Sequence, residues 1–357
     1  MISDHLNQWL IEHADLLDSG HINEAELLPK LAAAEVFKIG VPTSLGGVGG
    51  EVADSVEAIA QVASQSLTAA FVFWGHRAFI EYLLQGDNPE LRERLLPSLL
   101  SGEVAGATGL SNAMKYLAGI ESLGIVVRRP IDDSKRLLDG VLPWATNLRK
   151  EGFVVAAAVE VENEQPLIAA LPSHLAGINR SDDLDLIALR ASNTASIKVE
   201  NASLTDEWVI SHSANTFLPR VRPAFLAMQC GMSIGLARRC LVAAKQQLGP
   251  TRSALRDDYE GVDRHLSHAG KQLQKGLSKQ RFIKHPAELF AIRLTLAEVV
   301  ANASQLELQA SGGKAYVHNA ANGFARRWRE AAFIPIITPS VVQLKAELLR
   351  HQEVLFI

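Results

Sequence analysis

Leu137-Leu138-Asp139-Gly140-Val141-Leu142-Pro143-Trp144-Ala145-Thr146-Asn147 is the stretch of this 357-residue chain on which the fold turns. Asp139-Gly140 is a hairpin-turn dipeptide, so the chain is expected to reverse there and run on as a strand. That strand sets an indole beside a threonine and an asparagine. Indole offers a broad apolar face for stacking on an aromatic ring, and a Thr hydroxyl and a backbone N–H can donate to ring nitrogens and carbonyl oxygens. A flavin is the ligand this set fits best. Taken alone, the segment fits equally well as a Trp covering a sheet next to a turn, and the rest of the chain decides.

The length allows two or three domains, and 48% apolar residues supply a large core. A net charge of −4 with no basic run argues against nucleic acid as a partner. Cys230 and Cys240 lie in an apolar, helix-like stretch and read as buried thiols of a reducing compartment. Residues 1–23 contain no continuous apolar core of a signal peptide. No apolar run approaches the roughly 20 residues that span a bilayer. The expectation is a soluble, cytoplasmic protein with no membrane span.

The texture changes twice. Residues 1–103 are helical in pattern, with Leu and Ala at three- and four-residue spacing through 27–36 and 52–67. The glycines of 40–50 require a loop, and their spacing matches neither a dinucleotide fingerprint nor a P-loop. Residues 104–213 break into Val/Ile/Ala-rich runs at 124–129, 153–161, 166–171 and 195–199, separated by polar turns. This suits a small antiparallel barrel or sandwich. Residues 214–357 return to long helices, expected at 224–246, 255–282, 286–311 and 341–355. The fold class is mostly α with a middle β-domain.

Six tracts in this order carry a family resemblance. Residues 40–50 look like G-V-P-x-x-x-G-G-x-G. Residues 91–103 are close to K-x-x-x-L-P-x-L-x-x-G-E, and 138–147 to x-x-G-x-K-x-W-I-T-N. Arg190-Ala191-Ser192-Asn193-Thr194 with Val199-Glu200-Asn201-Ala202 is similar to M-R-x-S-x-T and F-x-x-V-x-V-P. Gln309-Ala310-Ser311-Gly312-Gly313 resembles Q-x-x-G-G, and Arg329-Glu330-Ala331 resembles R-D-A. Over essentially its whole length the chain thus resembles the acyl-CoA dehydrogenase superfamily of flavoproteins.

The resemblance implies an N-terminal helical domain, a middle β-domain and a C-terminal four-helix bundle enclosing FAD. Trp144 and Thr146 would meet the isoalloxazine, and Thr108, Ser111 and Ser340 would join the cofactor-binding set. Gln309, Gly312 and Gly313 would approach the FAD of a neighbouring subunit in a homodimer or homotetramer. Partners would be an acyl-CoA or other small-molecule substrate and an electron acceptor protein or flavin reductase.

Several departures bear on mechanism. Removing an α-proton while hydride leaves the β-carbon needs a carboxylate facing the flavin. Where most of the family has that Glu, this chain has Thr338, in Ile337-Thr338-Pro339-Ser340. The alternative location, Arg222-Pro223-Ala224-Phe225-Leu226, has no acid. In Ala107-Thr108-Gly109-Leu110-Ser111-Asn112 the family's acid and proline are missing, and no R-x-x-F-G follows Gln247. His76 is a candidate for holding or protonating a flavin hydroperoxide, because imidazole titrates near neutrality; a His satisfied by a helix carbonyl is the plainer account. Glu121 is a candidate acid or a surface residue. Arg326-Arg327-Trp328-Arg329 is either a phosphate-binding cluster or a solvated helix face. Three functions follow: oxidation of an acyl thioester with a displaced base, a two-component flavin monooxygenase, and a non-catalytic flavin- or acyl-CoA-binding protein.

Overall fold

A computed structural model describes residues 2–22, 24–132, 135–317 and 323–354. The first helices are α1 (Asp4–Ser19), α2 (Leu27–Ala33), α3 (Val52–Ala63), α4 (Leu67–Gln85) and α5 (Pro89–Leu100). Their starts are set by side-chain caps: Ser3, Ser66 and Asn88 accept from N–H groups of the first turns of α1, α4 and α5, and Glu51 and Asp54 cap α3 reciprocally. Helix α4 is buried on nearly every face, as expected of an element surrounded by others. The glycine-rich loop closes on itself: Gly40 N–H donates to Gly49 O at 2.8 Å, and a Cβ on Gly47 would lie 2.0 Å from Val41 O. Close backbone approach accounts for the glycines there.

The middle region folds β1 (Ala105–Thr108), α6 (Ser111–Leu117), β2 (Ile125–Asp132), β3 (Lys135–Ala145), β4 (Phe153–Glu160), β5 (Leu167–Pro172), β6 (Ile178–Arg180), β7 (Ala195–Thr205) and β8 (Val209–Ser211). They form one sheet in the order β6-β7-β3-β2-β4-β5-β8, with β1 also on β4. The expectation of a purely antiparallel domain needs correction, because β1 and β2 both run parallel to β4. They share one edge of it, β1 on Phe153–Ala156 and β2 on Val159 and Glu160. Between them the chain leaves the sheet at Gly109, whose N–H still reaches Ala156 O at 2.8 Å, and builds α6.

Asp139-Gly140 is not the hairpin turn. Strands β2 and β3 pair from Ile125↔Gly140 to Asp132↔Lys135, so the reversal falls after Asp132 and Asp139-Gly140 lies within β3. Gly140 answers a packing demand instead: its φ is +146° and a Cβ would lie 2.1 Å from Gly124 O.

The C-terminal helices are α7 (Ala214–Gln247), α8 (Arg256–Ser278), α9 (Arg281–Lys284), α10 (Pro286–Ser311), α11 (Phe324–Phe333) and α12 (Val341–Val354). Residue 355 of the expected last helix lies outside the described residues. Helix α7 begins ten residues before its apolar pattern and runs through Pro219 and Pro223, started by the Ser213 cap. Cys230 and Cys240 are buried free thiols, and burial pushes Cys230 up to about 12. The expectation that no segment could span a bilayer also needs correction on length and hydropathy, since Pro286–Tyr316 and Phe324–Arg350 both qualify. The first is mostly buried within the bundle, and the second is divided into α11, a 3-10 turn at Ile334–Ile336 and α12.

Candidate functional site

A cavity of about 790 Å³ opens where the sheet, α4, α6 and the segment after α11 meet. Phe71, Trp74, Phe333, Ile336 and Ile337 form an apolar end, and Lys115 and Glu121 are its only ionisable lining residues among those described. Thr108, Ser111, Trp144, Thr146 and Thr338 all line it. Five positions from three separate stretches of the chain thereby face one space.

Trp144 reaches the cavity through a β-bulge. Between the pairs Leu142↔Ile197 and Ala145↔Ala195, β3 carries one residue more than β7. Pro143 suits the bulge because it has no N–H to contribute to a ladder. The indole is 58% exposed, far more than a Trp that covers a sheet. Thr146 is buried and its hydroxyl donates to Ser192 O at 3.1 Å, leaving the oxygen's lone pairs for an incoming N–H. This reverses the donor role expected of it. Asn147 holds φ +61°, which Asn tolerates, and its side chain donates inward to Gly106 O at 2.9 Å.

The Thr108 hydroxyl lies 2.9 Å from the Tyr82 hydroxyl, and burial pushes the Tyr82 phenol well up. Ser111 is the first residue of α6. Ser340 does not line the cavity. Its Oγ accepts from Gln343 N–H at 3.3 Å while its own N–H donates to Gln343 Oε1 at 2.6 Å, a capping box that starts α12. Gln309, Gly312 and Gly313 also lie elsewhere: Gln309 is exposed near the end of α10, Gly312 (φ +62°) terminates that helix, and Gly313 has open space around it.

His76 is fully buried and absent from the cavity wall. Gly106 N–H donates to Nδ1 at 3.0 Å, so Nε2 carries the hydrogen and donates to Leu99 O at 2.8 Å. Burial lowers its pKa to about 4. Both nitrogens serve the backbone of α5 and β1, and this corrects the expectation that the ring faces a flavin. With Asn147 on the other side, both polar groups of Gly106 are held by side chains.

Glu121 does line the cavity, ion-paired to Lys115 at 2.5 Å and accepting from Asn112 Nδ2 at 3.2 Å. Those bonds hold its carboxyl below the usual range. The arginine cluster is neither solvated nor aimed at phosphate. Arg326 and Arg327 are buried, Arg326 pairing with Glu330 and Asp15 and Arg327 with Glu307, while Arg329 pairs with the buried Asp18.

The sequence reading missed Phe71 and Phe333. Phe71 stacks on Trp74 with centroids 5.6 Å apart, and Phe333 meets Phe71 edge-on at 4.8 Å. An aromatic pair at i, i+3 on one helix face was the available signal for Phe71; nothing local marked Phe333.

Residues 1–103 match the family described as acyl-CoA dehydrogenase, N-terminal domain. The chain is 24% identical over 58% of its length to the mitochondrial isovaleryl-CoA dehydrogenase of Arabidopsis thaliana, and spans 52% of that relative. It is 22% identical to a probable acyl-CoA dehydrogenase of Bacillus subtilis, covering 94% of this chain and 92% of the other. It is 23% identical to a dibenzothiophene monooxygenase of Mycolicibacterium goodii, covering 80% and 67%. Two solved structures share the fold at a TM-score of 0.81 and 15% identity. One is a glutaryl-coenzyme A dehydrogenase with glutaryl-CoA, covering 99% of this chain and 96% of that one. The other is the butyryl-CoA dehydrogenase of Megasphaera elsdenii, covering 99% of each. Residues 1–103 thus match the acyl-CoA dehydrogenase N-terminal family, and the near full-length relative and the shared three-part architecture support the acyl-CoA dehydrogenase superfamily for the chain.

Proposed function

We propose that the cavity binds a flavin, specifically FAD, and that the chain is an oxidoreductase of acyl-CoA dehydrogenase type acting on an acyl thioester. The observation that carries this reading is the Trp144 indole, raised by the bulge at Pro143 into a cavity of about 790 Å³ that Thr108 and Thr146 also line. A flat ring with polar edges fits that arrangement. When bound, flavin supplies a hydride acceptor. Trp144 would cover the ring, Thr108 and Thr146 would meet its edge, and Ser111 would take a phosphate oxygen. Phe71, Trp74, Phe333 and Ile337 would exclude water around the acyl chain. Gln309, Gly312 and Gly313, on the exposed end of α10, would be available to a neighbouring subunit's flavin in a homodimer or tetramer.

Thr338 lines the cavity and, by the resemblance, takes the sequence position of the family's carboxylate, and Glu121 is occupied by Lys115 and Asn112. The missing carboxylate favours a second reading, a flavin monooxygenase supplied with reduced flavin by a reductase. An absorption spectrum of the purified protein, followed by anaerobic titration with acyl-CoAs, separates the two. Bound yellow flavin that bleaches supports the dehydrogenase. Flavin that does not bleach, with O2 consumption when a reductase is added, replaces it with the monooxygenase. A protein that does neither is a binding module.

A further inference from the structure

Two buried polar side chains from different helices of the bundle converge on one short piece of main chain. Gln229 of α7 is 1% exposed and its Nε2 donates to Thr338 O at 2.7 Å. Arg293 of α10 is fully buried and its Nη2 donates to Ile334 O at 2.7 Å. The carbonyls they hold are the two ends of residues 334–338, the piece that gives Ile336, Ile337 and Thr338 to the cavity wall.

The arrangement is expensive. Among the described residues, Gln229 Oε1 and Arg293 Nε and Nη1 have no hydrogen-bond partner. Burying polar or charged groups without partners destabilises a fold, and an apolar side chain of similar size would fill either position without that penalty. Arg293 is partly compensated by its place at the C-terminal end of α11, where helix carbonyls are unsatisfied and the dipole is negative. Nothing comparable compensates Gln229. Stability alone therefore does not explain why both groups are present. What they share is the segment they hold.

We infer that Gln229 and Arg293 are positioning residues that fix the wall at residues 334–338 and so set the size of acyl chain the cavity accepts. They act on the ligand only through the main chain, with Gln229 fixing the carbonyl of the residue that stands at the missing carboxylate's position. The inference rests on the reading of the cavity as a flavin and acyl-thioester site.

The test has two arms. Hydrogen exchange by mass spectrometry is measured on the wild type, Gln229→Met and Arg293→Lys. Gln229→Met should speed exchange of the Ile337 and Thr338 amides at least tenfold, with the rest of α7 and α10 unchanged. Arg293→Lys, which keeps a charge and a donor, should show a smaller rise centred on Ile334 and Ile336. In the second arm, butyryl-CoA and octanoyl-CoA are titrated into the flavin-loaded proteins and followed by flavin absorption. The ratio of their affinities should shift at least fivefold in Gln229→Met with flavin retention unchanged. A merely structural role would weaken both ligands equally. Should Gln229→Met fail to fold, Gln229→Asn, which draws the amide back by one methylene, is read in the same way. Unchanged exchange in folded variants, or an unchanged affinity ratio, overturns the inference. A wild type that holds no flavin overturns the reading of the site, and the exchange arm still decides whether these residues fix the wall.

Discussion

At the scale of single residues, His76 is sealed in the interior while Trp144 stands open in the cavity. His76 looks like chemistry and proves to be a buckle between α4, the end of α5 and β1. Its folded pKa of about 4 lies below the 6.5 of an exposed imidazole, so the unfolded chain takes up the proton first as pH falls. The stability it contributes is complete above pH 6.5 and declines toward pH 4, by about 3 kcal/mol in all. His76→Phe fills the space but strands Gly106 N–H and Leu99 O, at a cost of roughly 2–4 kcal/mol near pH 8. Urea unfolding at pH 8 and pH 5 should then show wild type losing more stability on acidification than the variant; parallel losses would remove this account. Trp144, expected either to face a flavin or to cover a sheet, is exposed in the cavity. Trp144→Ala should change the melting free energy by less than about 1 kcal/mol. It should lower flavin retention after gel filtration at least tenfold, and undiminished retention would count against the cofactor placement. The sequence marked both residues, but it did not decide between the two accounts of either, because that depends on which face of a neighbouring element each ring meets.

At the scale of elements, helix contacts are set where side chains are smallest. On α7, Gly231 and Gly235 lie against α3, and a Cβ would fall 2.6 Å from Val56 O and 2.0 Å from Ala60 O. Backbone atoms cannot step aside as a flexible side chain can. Gly235→Ala should therefore destabilise by roughly 2–4 kcal/mol, because the two helices must separate. On α8, Gly261 and Gly270 have open space around the added Cβ. Gly261→Ala should instead stabilise by about 0.5–1 kcal/mol through helix propensity. Denaturant midpoints of the two variants should move in opposite directions. The sequence marked the existence of both helices by period, though α7 begins ten residues earlier and α8 ends four residues sooner than expected, and could not distinguish these glycines. The same limit explains the misplaced hairpin: Asp139-Gly140 has the composition of a turn, but Gly140 is demanded by the approach of Gly124 O across the sheet.

At the scale of the whole molecule, a chain of buried charges ties the three parts together. Asp18 of α1 is 1% exposed; its Oδ1 accepts from Leu189 N–H at 3.0 Å and its Oδ2 accepts from Arg329 of α11 at 2.5 Å. Next to it, Glu330 of α11 accepts from Leu67 N–H at the start of α4 and from Arg326. Asp18→Ala strands a buried N–H and removes the carboxylate from Arg329, and should cost roughly 2–4 kcal/mol. Because the pair joins separate parts of the fold, thermal unfolding of the variant should also lose cooperativity. A single sharp transition at the wild-type midpoint would show that the joint is dispensable. What the sequence determined by itself is the order of helices, strands and bundle, the tract that carries Trp144 and Thr146, and the absence of a carboxylate at Thr338. Those follow from periodicity, composition and residue identity, which are local. Only the tertiary structure decided that His76 is sealed away, that the arginines neutralise buried acids, that Ser340 stands outside the cavity, and that Gln229 and Arg293 hold the two ends of residues 334–338. Apart from the Ser340 cap, whose partner Gln343 is only three residues on, each of these depends on a partner distant in the chain, and residue type does not encode which partner the packing will supply.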